Sequence, residues 1–122
     1  MTDIKRTTRA LGRAGEEIAC AYLRKKNYAI VTRGFRMFRG EVDIIARDGS
    51  TIVFIEVKAR SDESFGRPEE SVTPAKQRQI RKIAQGYLLE NPAAEVACRF
   101  DVIAIVFGDA NGYRLEHFVD AF

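Results

Sequence analysis

Three charged side chains near the middle of the chain could support metal-assisted chemistry on a phosphate. Asp43 lies in the run EVDIIAR (41–47), and Glu56 and Lys58 lie near the end of the run TIVFIEVKAR (51–60). Neighbouring carboxylates repel each other unless a cation lies between them, so Asp43 and Glu56 suggest a site for a hard divalent ion such as Mg²⁺. Lys58, two residues after Glu56, could orient a water molecule and stabilise charge on the phosphate.

The two runs must pair for these side chains to meet. Both are rich in β-branched residues and flank Asp48-Gly49, a strong signal for a two-residue hairpin turn. That turn predicts Asp43 opposite Phe54 and Glu41 opposite Glu56, with Asp43 diagonal to Glu56 at about 7–8 Å. The face shared by the charges would hold Glu41, Asp43, Ile45, Glu56 and Lys58. The opposite face of the first strand would be apolar, formed by Val42, Ile44 and Ala46.

A ladder of surface salt bridges is the alternative interpretation of these charges. Exposed ion pairs are common on strands and contribute little to stability. However, Ile52 and Phe54 lie in the same row as Glu56. A fully solvated face would not begin with two large apolar residues, so the row favours a charged cluster at the edge of the core.

Helices are predicted on either side of the hairpin. Apolar residues recur at three- and four-residue spacing over residues 9–26, which predicts an amphipathic helix. Glu16 borders its buried stripe, whereas Glu17 and Cys20 fall on its polar side. Thr73 as N-cap and Pro74 as first residue predict a second helix that extends to about residue 89.

Lys76 lies in the row that leads into the buried stripe of the second helix, and Gln77 flanks it. A lysine at a helix N-terminus opposes the helix dipole, so Lys76 needs an anionic partner such as a phosphate or a carboxylate cluster. The alternative is that its side chain extends past the helix end into solvent.

The remaining segments complete the predicted order of elements. A short strand over 28–32 is followed by a basic loop over 33–40, in which Phe35 and Phe38 alternate with arginines. These phenylalanines could stack on a nucleic acid strand or pack into the core. A loop is predicted over 61–71, a strand over 98–107, a turn over 108–112 and a last strand over 113–119. Arg99 and Asp101 are interpreted as a structural ion pair, and His117 as a packed or edge residue.

Composition places the chain among ordinary globular proteins. It has 122 residues, of which 46% are hydrophobic, so we expect a single domain spanning residues 1–122. Cys20 and Cys98 are isolated, and no apolar run suggests a signal peptide or a membrane span, so we expect a cytoplasmic protein. The net charge of +3 permits a polyanionic partner.

Five blocks of sequence resemble the YraN family of small bacterial proteins, which is similar to archaeal Holliday junction resolvases. They are GRAGEEIACAYL, FRGEVDIIARDG, VFIEVKAR, FGRPEESVTPAKQRQI and RFDVIAI. Asp43 followed by Glu56-Val57-Lys58, in the order α-β-β-β-α-β, also resembles the restriction-endonuclease-like nucleases named for the PD-(D/E)xK motif. Val42 stands where that name has proline. The resemblance implies an α/β fold with a mixed central sheet flanked by helices.

The resemblance also implies roles for individual residues. Asp43 and Glu56 would hold Mg²⁺ or Mn²⁺ together with the backbone carbonyl of Val57. Lys58 would be the catalytic lysine, and Glu16 matches a glutamate on the N-terminal helix of resolvase-like members. A polar pair common in the second core helix is matched by Lys76 and Gln77.

We therefore expect a metal-dependent DNA endonuclease acting on branched DNA. The expected DNA contacts come from basic and polar side chains around the cluster: Arg36, Arg39, Arg60, Lys76 and Gln77. A four-way junction would require two symmetric active sites, and hence a homodimer. The alternatives are a nucleic-acid-binding module without turnover and a scaffold for other DNA-processing proteins.

Overall fold

The computed structural model describes residues 8–61, 72–92, 96–109 and 112–122. The elements run in the predicted order of one helix, three strands, one helix and two strands. Their bounds are α1 Thr8–Lys25, β1 Ala29–Met37, β2 Gly40–Asp48, β3 Thr51–Arg60, α2 Pro74–Glu90, β4 Cys98–Asp109 and β5 Gly112–Phe118. The predicted loop 61–71 and turn 108–112 fall largely or partly outside the described residues. No described helix has the length and apolar content needed to cross a membrane.

The five strands form one mixed sheet in the order β1-β2-β3-β4-β5. β3 and β4 are parallel, whereas the other three neighbouring pairs are antiparallel. A parallel pair needs a long crossover connection, and α2 lies in that connection. The predicted mixed α/β architecture is therefore confirmed.

The two helices cover opposite faces of the sheet, and β3 supplies both cores. On the α1 face Val53 and Ile55 pack with a cluster contributed by α1, β2 and β4: Ala19, Cys20, Leu23, Ile44, Ala46, Ile103 and Ile105. On the α2 face Ile52 and Phe54 pack with Val42, Ile45, Ile80, Ile83, Ala84 and Phe100. Burial on both faces explains the uninterrupted apolar run that precedes Glu56.

The local signals for α2 are confirmed. The Thr73 side chain accepts a hydrogen bond from the Lys76 backbone N–H at 3.2 Å, and Pro74 occupies the first turn. At the other end the backbone N–H of Asn91 donates to the carbonyl of Tyr87 at 2.9 Å. The start of α2, and with it the position of Lys76, is thus set by its capping residues.

The prediction for Cys20 was wrong. Cys20 is fully buried in the α1 core and does not lie on a polar face. A free cysteine behaves as a small apolar residue, so it extends the buried stripe of Ala19 and Leu23.

The predicted register of the β2–β3 hairpin was also wrong. Asp48 pairs with Thr51, and Ile45, not Asp43, lies opposite Phe54. The turn residues are therefore Gly49 and Ser50, and Gly49 has a positive φ of 62°. Glycine at the first turn position suits a type II′ turn, which competes with the Asp-Gly turn at the same place. The turn moves by one residue in the chain, so the paired residues Ile44 to Asp48 keep their faces but change their partners.

The predicted apolar face of β2 was wrong at its first residue. Val42 packs with Ile45 on the α2 side, whereas Ile44 and Ala46 pack on the α1 side. Simple alternation would place Val42 with Ile44. The alternation of β2 is thus interrupted around Asp43.

The predicted basic loop 33–40 is mostly strand. β1 continues to Met37, after an irregularity between Ile30 and Thr32, and pairs with β2 as far as Met37 opposite Gly40. An edge strand tolerates the arginines that made this segment look like a loop. The turn consists of Phe38 and Arg39, with φ of 54° and 60°.

The predicted ion pair on β4 is confirmed and belongs to a larger polar network. Arg99 donates from Nε and Nη2 to the two carboxylate oxygens of the fully buried Asp101, both at 2.9 Å. His117 lies with Nε2 at 2.7 Å from Asp101 Oδ2 and Nδ1 at 3.0 Å from the Tyr22 hydroxyl. His117 is thus a packed residue that joins β5 to β4 and α1.

Candidate active site

Asp43 lies where the backbone pairing of β2 and β3 stops. The last paired residues at this end are Ile44 and Ile55. Beyond them the Val57 backbone N–H donates to Asp43 Oδ2 at 2.8 Å. A side-chain carboxylate thus takes the place of a backbone acceptor at the end of the hairpin, which fixes Asp43 between the strands.

Glu56 is the central residue of the cluster. Only 4% of its side chain is exposed, and Oε2 lies 3.6 Å from Lys58 Nζ and 3.7 Å from Lys76 Nζ. Its other oxygen, Oε1, is buried and has no hydrogen-bond partner. Buried polar atoms are nearly always satisfied, so this oxygen calls either for a proton shared with the Asp43 carboxylate or for a cation from outside the chain.

The surroundings of Glu56 oppose its ionisation. The pKa of Glu56 is raised to about 8, mainly by burial and then by the negative charge of Asp43 and a side-chain hydrogen bond with it, against the opposing effects of Lys76 and Lys58. Burial of a charge and repulsion by a like charge both favour the protonated form. The carboxyl therefore retains a proton at neutral pH unless additional positive charge enters the site.

Glu16 approaches the same cluster from α1. Partial burial raises the pKa of its carboxyl, and the charge of Asp43 raises it further while Arg33 lowers it. Arg33 Nη2 lies 4.0 Å from Glu16 Oε1, and Arg33 Nη1 lies 3.3 Å from Glu17 Oε2. Arg33 thus neutralises the acidic side of α1.

A basic pocket lies beside Lys76. It has a volume of about 320 Å³ and is lined by Arg36, Arg39, Gly40, Glu41, Lys76 and Gln79. Lys76 Nζ donates to Gln79 Oε1 at 3.3 Å, and the exposed Arg36 has Nε 4.0 Å from Glu41 Oε2. Because Lys76 also contacts Glu56, the pocket adjoins the carboxylates.

Other predicted contact residues lie elsewhere. The Gln77 amide donates to the Val72 carbonyl at 3.1 Å and lines a pocket that includes residues of β5. Arg60 is the last residue of β3, half-buried and paired along the backbone with Val106. Phe35 packs edge-on against Tyr87 in the α2 core. Of the two alternatives for this residue, stacking on a nucleic acid and packing into the core, the structure therefore shows the second.

Gln79 was missed from the sequence. It lies three residues after Lys76, on the same side of α2, and so could have been found from helical spacing. Glutamine carries no charge that would mark it in a charge pattern.

The donor set fits a hard divalent cation. Asp43, Glu56 and the carbonyl of Val57 would supply only oxygen atoms, and the unpartnered Oε1 of Glu56 is an acceptor without a donor. Among the described residues no three His, Cys, Asp or Glu side chains are grouped to hold a metal. One or two carboxylates are nevertheless sufficient for Mg²⁺, which usually keeps several waters and takes further oxygens from a phosphate.

Fold and site together define a small mixed α/β protein with two carboxylates and two lysines gathered at the end of a hairpin. The chain belongs to the Uncharacterised protein family UPF0102, whose model matches residues 15–105. That match contains every residue of the cluster.

Curated relatives cover nearly the same length. A UPF0102 protein of Geotalea uraniireducens is 53% identical over 114 residues, which are 93% of this chain and 90% of the relative. One from Geobacter sulfurreducens is 49% identical over 112 residues, which are 92% and 88% of the two chains. One from Chlorobium limicola is 50% identical over 119 residues, covering 93% and 92%.

Proposed function

We propose that this protein is a Mg²⁺- or Mn²⁺-dependent DNA endonuclease of the restriction-endonuclease-like type. The observation that carries the proposal is the unpartnered, buried Oε1 of Glu56, beside Asp43 and facing two lysines. A cation would remove the repulsion between the carboxylates and satisfy this oxygen. The resemblance to PD-(D/E)xK nucleases assigns the same residues to metal binding.

Each residue of the cluster would have its own role in phosphodiester hydrolysis. Asp43, Glu56 and the Val57 carbonyl would hold the ion, which when bound polarises a phosphate oxygen and lowers the pKa of its water. Lys58 would orient the attacking water. The water oxygen would form a bond to phosphorus and lose a proton to solvent, while the P–O bond to the leaving oxygen breaks and a second water protonates that oxygen.

Two further residues would assist the reaction. Lys76 would neutralise a non-bridging phosphate oxygen, which becomes more negative as the reaction proceeds. Glu16 has a raised pKa and would exchange a proton with water near Asp43.

We further propose branched DNA as the substrate, on the likeness to Holliday junction resolvases. Cleavage of a four-way junction would use two copies of the chain in a symmetric dimer. The site of action would be the cytoplasm, where bacterial DNA and free Mg²⁺ are available.

The test is cleavage of end-labelled linear, flap and four-way-junction DNA with Mg²⁺ or Mn²⁺. We expect a product from the wild type, and its loss in Asp43→Asn and Glu56→Gln. The control is Glu90→Gln, an exposed carboxyl at the end of α2, which should cleave normally. Unchanged cleavage by the Asp43 and Glu56 variants would refute the assignment.

A second candidate is a nucleic-acid-binding module without turnover. It is favoured by the two lysines beside Glu56, whose positive charges would bind phosphates without a metal. This candidate predicts salt-dependent DNA binding that Asp43→Asn leaves unchanged, with no metal-dependent product. The cleavage assay and a binding assay on the same variants separate the two.

A further inference from the structure

The turn between β1 and β2 adopts a conformation that its residues do not favour. Phe38 and Arg39 occupy the two central positions, and both have positive φ. Such turns favour Asn-Gly, because a side chain with a normal Cβ is strained in the left-handed region. Backbone strain of this kind is concentrated at functional sites.

The turn also presents an aromatic ring to solvent. Phe38 keeps 52% of its accessible surface, although large apolar side chains are usually buried. Lys82 Nζ lies over one face of its ring, 4.9 Å from the ring centre. The ring is thus half exposed, with a cation over one of its faces.

α2 holds this turn in place. A Cβ built on Gly86 would lie 2.8 Å from Phe38 Cε2, and it would also collide with Met37 Sδ. The absence of a side chain at Gly86 lets the hairpin lie directly against the helix. The ring is therefore carried on a packed element and not on a free loop.

The basic pocket adjoins the turn. Arg39 belongs to both, and Arg36 and Lys76 complete the cationic lining against the single carboxylate of Glu41. Three cations against one anion suit a phosphate, and an exposed aromatic ring suits the flat face of a base. The interior of an intact duplex offers phosphates but no free base face.

We propose that Phe38 stacks on an unpaired base while phosphates of the same strand lie among Arg36, Arg39 and Lys76. This inference rests on the proposed function for its choice of DNA, and it names the substrate as DNA with unpaired nucleotides, such as a fork, flap or open junction. Lys76 links the pocket to Glu56, so the bound strand leads to the carboxylates.

Tryptophan fluorescence tests the stacking directly, because the chain has no tryptophan of its own. A Phe38→Trp variant in EDTA should be quenched by a short single-stranded oligonucleotide and not by the same sequence as blunt duplex. The matched control is Tyr113→Trp on β5, at the opposite edge of the sheet, where Tyr113 is 49% exposed. No quenching of Phe38→Trp, or equal quenching of both variants, would overturn the proposal.

Affinity gives a second measurement. Phe38→Ala should weaken binding of single-stranded DNA roughly five- to 160-fold and leave duplex binding unchanged. Tyr113→Ala should bind both as the wild type does. Arg39→Ala should weaken binding to both and reduce the slope of log affinity against log salt by about 0.7 to 0.9.

A structural role for Phe38 is tested with Phe38→Asn, because asparagine tolerates the left-handed backbone. If Phe38 contacts DNA, this variant keeps a cooperative thermal transition and still loses affinity for single strands. Normal affinity in Phe38→Asn would contradict the proposal.

These measurements use no cleavage, so they separate the two proposals. Quenching without any metal-dependent product would refute the nuclease and leave the stacking site standing. Cleavage of junction DNA without quenching would refute the stacking site and leave the nuclease standing.

Discussion

Replacement of Glu56 by glutamine should stabilise the metal-free protein, although it removes the two ion pairs with lysines. The pKa of Glu56 is raised from 4.5 to about 8, so the folded state binds a proton that the unfolded state has lost. A raised carboxyl pKa contributes stability that is fully present below pH 4.5 and is lost as pH rises through 8. Glutamine mimics the protonated form at every pH.

The magnitude follows from the two pKa values. Integration between them gives a cost of about 1 kcal/mol at pH 5 and about 3 kcal/mol at pH 7 for the ionisable side chain. Solvent screening does not reduce this figure much, since only 4% of the side chain is exposed. The effects of Lys58 and Lys76 are already contained in the shifted pKa.

The assay is urea unfolding of wild type and Glu56→Gln in EDTA at pH 5, 7 and 9. We expect the variant to be more stable, with a difference that grows by about 2 kcal/mol from pH 5 to pH 7. Glu90→Gln should show no such trend. A destabilised variant, or a difference independent of pH, would refute the reasoning about this site.

Two further predictions concern the framework. Asp101→Asn should destabilise the protein by about 3–5 kcal/mol in urea unfolding, because it leaves buried donors without their anion. Burial alone would raise the pKa of Asp101, but hydrogen bonds, led by that from His117, lower it, so this stabilisation should disappear as pH falls below 3.8. Gly15→Ala should cost about 1–3 kcal/mol, because its Cβ would lie 2.8 Å from that of Ala59. The control Gly12→Ala meets nothing within 4 Å and should be neutral or stabilising in the same assay.

Most of the fold could be predicted from the sequence, because its strongest signals are local. The capping residues Thr73 and Pro74 predicted where α2 starts. The apolar run of β3 predicted that this strand is buried on both faces. The hairpin register could not be decided, since Asp48-Gly49-Ser50 contains two overlapping turn dipeptides. The structure has Gly49-Ser50 as the turn residues.

The sequence predicted which residues would come together in the candidate site better than it predicted how they are arranged. The alternation of β3 indicated correctly that Glu56 and Lys58 share a face. The hydrogen bond from Val57 to Asp43 was not predictable, because it requires β2 to depart from regular alternation. The turn at Phe38-Arg39 was missed for a related reason, since neither residue is typical of a two-residue hairpin turn.

Mn²⁺ binding tests the central claim, that Asp43 and Glu56 hold a divalent ion against a phosphate. The measurement is the loss of the free Mn²⁺ signal in electron paramagnetic resonance, with single-stranded phosphorothioate DNA present. We expect saturable binding by the wild type and Glu90→Gln, and binding at least about tenfold weaker in Asp43→Asn and Glu56→Gln. Equal Mn²⁺ affinity in all four proteins would contradict the account.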